Sequence, residues 1–192
     1  MKQQALNRLI DNYRKCKKSH LEKELDYYRD KSNLNDALMA AGLFWQDTNV
    51  IHNHQYRIRR ISKEAFSKNL SAIKIDNTKS FTDIYGMVKA CKVQGIGPVT
   101  IYDTALRLSA FRGFFPNAIY LHAGVAIGYK NLTGNIPTSL IIPYTQDFKT
   151  MFNGLLAYET VNFLCLYKDE LKDPTLSVDS QCNPNSSRRN IC

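Results

Sequence analysis

Between Trp45 and Ile61 the chain reads WQDTNVIHNHQYRIRRI, which gathers His52, His54, Arg57, Arg59 and Arg60 with Tyr56 and Trp45. Arginine forks bind phosphate oxygens in pairs and an aromatic ring stacks on an unpaired base, so this composition suits contact with nucleic acid. The stretch lacks helical periodicity and reads as a loop or short extended ribbon. Extended backbone would set His52, His54 and Tyr56 on one face and Gln55, Arg57 and Arg59 on the other. Two histidines on one face can hold a metal or move a proton near neutral pH, but no carboxylate or cysteine beside them completes a ligand set. The sequence therefore specifies neither a metal nor a cofactor. His122 lies in the second half, within Tyr120-Leu121-His122-Ala123-Gly124. A cleft joining it to His52 and His54, with Asp103 or Tyr102 in support, would make an enzyme acting on nucleic acid. The plainer alternative leaves Ile51, Tyr56, Ile58 and Ile61 anchoring a connection, and His122 as a satisfied core group.

A second stretch, Val93 to Phe111, reads VQGIGPVTIYDTALRLSAF. Two glycines around one aliphatic residue let the backbone turn sharply and approach something outside the chain. Before the turn, Ser80-Phe81-Thr82-Asp83 has the form of a capping box, and Phe81, Ile84, Val88 and Cys91 recur at helical spacing. After it, Pro98 suits the first position of a helix whose buried stripe is Ile101, Ala105 and Leu108 and which ends near Gly113. The second helix begins with N–H groups that no intrahelical acceptor satisfies, and these, with the helix dipole, favour an anion. Asp103 and Arg107, spaced i, i+4, are expected to pair on its surface.

Residues 81–113 resemble the helix-hairpin-helix motif of DNA glycosylases and related DNA-binding proteins, with Gly95, Ile96, Gly97 and Ala105 in the motif's positions. The resemblance implies a grip on the DNA backbone that does not read sequence. It carries no glycosylase catalysis, because Val99 stands where bifunctional members place a lysine. The stretch Pro116 to Gly124 also offers no aspartate. The combination of His-x-His-Gln, Gly-Ile-Gly, Tyr-Asp-Thr-Ala-Leu-Arg and Tyr-Leu-His-Ala-Gly is similar to a group of small uncharacterised bacterial proteins, which implies a bacterial setting and no activity.

The remaining pattern supplies the frame. The chain has 192 residues, 44% of them hydrophobic, enough for one sizeable core. Leu6, Leu9, Ile10 and Tyr13, then Leu21, Leu25 and Tyr28, imply one bent helix or two short ones. A short core helix is expected after an Asn35 cap, and another from Ser62 to about Ile75 with Ile61 and Phe66 as a staple. One long closing helix is expected from about Phe148 to Lys172. These make a mainly helical single domain, residues 1–172, of seven or eight helices with little or no sheet, and a mobile tail over 173–192. Five scattered cysteines without a Cys-x-x-Cys pair suggest reduced thiols, and no apolar run is long enough for a membrane span. The expected setting is cytoplasmic, without a membrane partner.

A balance of 26 Lys plus Arg against 17 Asp plus Glu, net +9, points to a polyanionic partner. DNA is the first expectation and RNA the second, bound independently of sequence by Gly95, Ile96, Gly97, Val99 and Thr100 with Lys92, Arg107, Arg57 and Arg60 around them. The competing class is a structural or interaction module whose basic face meets an acidic protein.

Overall fold

Ten α-helices and four short strands make up a mainly helical chain in a computed structural model that describes residues 3–47, 50–51 and 55–173. By contact density it forms two compact units, one comprising Glu22–Pro116 and the other the segments on either side. The boundary falls within α2 (Lys18–Arg29), which follows α1 (Gln3–Cys16) after a break at Lys17. The expected tail beyond Asp173 and the histidines His52 and His54 lie outside the described residues.

The Glu22–Pro116 unit contains most of α2, then α3 (Leu34–Gly42), a two-stranded antiparallel pair β1 (Trp45–Asp47) and β2 (Val50–Ile51), α4 (Arg60–Ser71), α5 (Phe81–Ala90) and α6 (Pro98–Arg112). The α3 cap is Asn33, whose side chain accepts the Asp36 N–H at 3.0 Å, two residues before the expected Asn35. Helices α3 and α4 approach closely at Gly42, where a Cβ would lie 2.6 Å from Ser67 Oγ. Beyond that contact Phe44 stacks on Phe66 with centroids 5.9 Å apart. The α4 helix begins at Arg60 with Arg59 as its cap, so Ser62 lies inside the first turn. Ile61 is exposed and makes no staple.

The other unit contains α1, β3 (Ala118–Tyr120), α7 (Ala123–Thr133), β4 (Ile141–Pro143), α8 (Gln146–Met151), α9 (Ala157–Leu166) and α10 (Lys168–Lys172). Strands β3 and β4 pair antiparallel, Ile119 opposite Ile142. Helix α1 lies on α9 through an edge-to-face contact of Tyr13 and Phe163 at 5.8 Å. The Tyr167 hydroxyl also donates to Asn12 at 2.6 Å, and Lys18 meets the buried Glu159 at 2.6 Å. Gly128 of α7 touches the α9 backbone so closely that a Cβ would fall 2.0 Å from the Leu164 carbonyl oxygen. The single closing helix expected from the sequence is three helices. Asn153 and Gly154, both left-handed at φ 51 and 79, end α8, and the Glu159 carboxylate then accepts the Leu156 N–H at 2.7 Å to start α9. The expectation of reduced thiols is corrected at two positions, since Cys16 and Cys165 are disulfide-bonded. Cys91 is free, and burial pushes its thiol pKa up, away from reactivity.

Candidate nucleic-acid interface

The turn between α5 and α6 is fixed from both sides. Ser80 caps α5 by accepting the Asp83 N–H at 3.2 Å, and Asp83 Oδ2 accepts the Lys79 N–H at 2.9 Å. That second bond, followed by a hydrogen bond from the Ser80 hydroxyl to the carboxylate, holds the Asp83 carboxyl below its ordinary pKa. Past α5 the Ile96 N–H donates to the Val93 carbonyl at 3.1 Å, while the Ile96 side chain is buried and pins the turn to the core. Gly97 caps α6 without any side-chain bond, Pro98 follows at the first helical position, and the first helical bond runs from the Ile101 N–H to the Gly97 carbonyl at 3.1 Å. The N–H groups of Val99 and Thr100 therefore stand at the positive end of a 15-residue helix with no acceptor inside it.

The two glycines differ in what they do for the fold. Gly95 has φ +89, a backbone that favours glycine, and an added Cβ would also crowd Ser62 Oγ at 2.9 Å. Gly97 has extended backbone, φ −96 and ψ 174, which any residue adopts, and an added Cβ would meet nothing within 4 Å. Neither packing nor backbone within the chain calls for a glycine there. The chain therefore places no side chain of residue 97 beside the start of α6.

The basic stretch is fastened against this hairpin at two points. At one end Gln55, fully buried, donates to Asp103 Oδ2 at 2.8 Å and accepts from Arg107 Nη2 at 3.1 Å. At the other, Ser62 touches Gly95, and further along α4 Asn69 donates to the Cys91 carbonyl at 3.2 Å. Between the fastenings a turn closed by the Ile58 N–H on the Gln55 carbonyl leads into α4. It leaves Tyr56, Arg57, Arg59 and Arg60 exposed, with Lys63 half-buried.

Arg107, expected on the basic surface, is 1% exposed. Its Nε donates to Glu24 Oε1 at 2.7 Å and its guanidinium carbon lies 6.0 Å from the Tyr28 ring centroid. Burial works against its charge, but Glu24, Tyr28 and Asp103 more than compensate, so it stays protonated. Its role is internal, and the expected surface pair with Asp103 is instead a link through Gln55. Tyr102 is also a core residue, 5.8 Å from Phe81 between ring centroids. Lys92, Arg57 and Arg60 are exposed as expected, Arg60 pairing with Glu64 at 2.6 Å; Val99 is half-buried and Thr100 buried.

His122 belongs to the other unit, where it is buried and caps α7, its carbonyl accepting the Ala126 N–H at 2.8 Å. His52 and His54 lie outside the described residues, and with them the expected cleft that would join them to His122. Among the described residues no three His, Cys, Asp or Glu side chains gather as a metal site. No family model matches the chain, and neither curated protein sequences nor solved structures give a significant match. The anchors Gln55, Ser62 and Glu24 escaped the sequence reading because each sits in a polar context that looks solvated. The sequence sets Gln55 on one face of an extended stretch with Arg57 and Arg59, a placement that carries no sign of its burial.

Proposed function

We propose that the protein binds DNA independently of sequence, with the N–H groups at the start of α6 on a phosphate and the cations of residues 57–63 and Lys92 on its neighbours. The observation that supports this most is Gly97, a glycine that the chain's own geometry leaves without a reason and that a phosphate at the helix terminus would need. The charge agrees: the stretch from Tyr56 to Lys63 carries four cations and no carboxylate.

An electrophoretic shift with arbitrary duplex and single-stranded DNA at low and moderate salt tests the proposal. Wild type should shift DNA of any sequence at low salt and lose affinity steeply as salt rises, because phosphate contacts release counterions. A folded Gly97→Val variant should bind much more weakly. Binding by that variant at wild-type strength would remove the hairpin from the account. No shift at either salt would favour the module with an acidic protein partner.

A further inference from the structure

We propose that Tyr56 and Ile61 form a platform for unpaired bases, so that the DNA bound here is single-stranded or locally opened. This rests on the hairpin as a phosphate grip and specifies which form of DNA that grip serves. Tyr56 is 55% exposed and Ile61 73%, and both are large apolar groups standing in a stretch that is otherwise cationic. Arg57 donates its Nε–H to the Tyr56 hydroxyl at 2.6 Å, and its guanidinium carbon lies 5.3 Å from the ring centroid. The two side chains therefore present one unit, an aromatic face with a cation at its rim, which is the arrangement on which a base stacks beside its own phosphate.

Pinning gives the platform its second qualification. Gln55, adjacent to Tyr56, is tied to Asp103 and Arg107 on α6, and Ser62, adjacent to Ile61, abuts Gly95 of the hairpin. Tyr56 is thus held one residue from a point bonded to the hairpin unit, and Ile61 one residue from a side chain that lies beside it, so less entropy is lost when a strand settles on them than on a free loop. A duplex presents phosphates, sugars and base edges to such a surface and keeps its base faces stacked away. A single strand offers those faces, which are what a protruding ring and isoleucine can cover. An acidic protein segment would satisfy the arginines and leave Tyr56 and Ile61 without a matched surface.

The test is fluorescence anisotropy of the full chain with one labelled oligonucleotide as single strand, as duplex, and as RNA of the same sequence, with unlabelled polyglutamate as competitor. Wild type should prefer the single DNA strand. Tyr56→Ala should weaken that complex by about tenfold, the loss of one stacked base, and leave the duplex complex within about twofold. Ile61→Ala should act in the same direction less strongly, and both residues are exposed enough for their variants to fold. Gly97→Val should weaken single strand and duplex alike. Equal affinity for both forms, or equal losses on both from Tyr56→Ala, would overturn the platform while leaving the hairpin grip standing. Absence of binding to any DNA would overturn both. Tighter binding of the RNA would overturn the assignment to DNA, and displacement by polyglutamate as effective as by the unlabelled strand would overturn nucleic acid as the occupant.

Discussion

Gly97 and Asp83 show how much one position in the hairpin unit decides. Gly97 offers α6 no side-chain cap, whereas at α5 Ser80 accepts the Asp83 N–H and Asp83 in turn accepts the Lys79 N–H just before the helix. Its lowered pKa makes this cap dependent on pH in a definite sense. A carboxyl whose folded pKa lies below its unfolded value of about 4 stabilises the fold above that value, and loses the contribution as pH falls through the folded one. Thermal stability of wild type should therefore exceed that of Asp83→Ala near neutrality, and the gap should close as the buffer is taken below about pH 4. A gap of constant size down to pH 2 would show that the charge plays no part in the cap.

At the scale of elements, the Glu24–Arg107–Gln55–Asp103 chain connects α2, the turn before α4 and α6. Removing the guanidinium takes its cation from a mostly buried Glu24 carboxylate, and Arg107→Met should lower stability by about 3 kcal/mol in denaturant melts. Gln55→Leu keeps the ion pair but frees the basic turn. It should cost about 1–3 kcal/mol through the hydrogen bonds lost at Asp103 and Arg107 and weaken DNA binding although Gln55 is buried. Unchanged binding by a folded Gln55→Leu protein would mean that the turn needs no anchor. How legible these elements were depended on how local their causes are. The Ser80 cap, Pro98 and the left-handed Gly113 stop are set by neighbours in sequence and stood in the pattern. The division of the closing helix was written in Asn153-Gly154 but hidden by the apolar period that runs through it. The burial of Arg107 depends on Glu24, 83 residues away, and a charged side chain at that spacing reads as a surface residue until its partner is placed.

For the whole molecule, the excess of cations is large and the described helices include none long and apolar enough to cross a membrane. The candidate site, by contrast, lies wholly within the Glu22–Pro116 unit. With Lys92, Arg57, Arg59, Arg60 and Lys63 as the contacting cations, the logarithm of affinity should fall against the logarithm of salt with a slope of about −3 to −4. A slope near zero would be inconsistent with phosphate contacts.

The central claim, that Gly97 is glycine so that a phosphate can reach the start of α6, is tested most directly by Gly97→Asp. The space beside Gly97 is open and its backbone has the extended geometry of a helix cap, so aspartate fits there and caps the N–H groups itself. We predict a melting temperature equal to or above that of wild type together with a loss of DNA affinity of about tenfold or more, since the carboxylate takes the donors and repels the phosphate. Wild-type affinity in a variant of unchanged or raised melting temperature would contradict the claim.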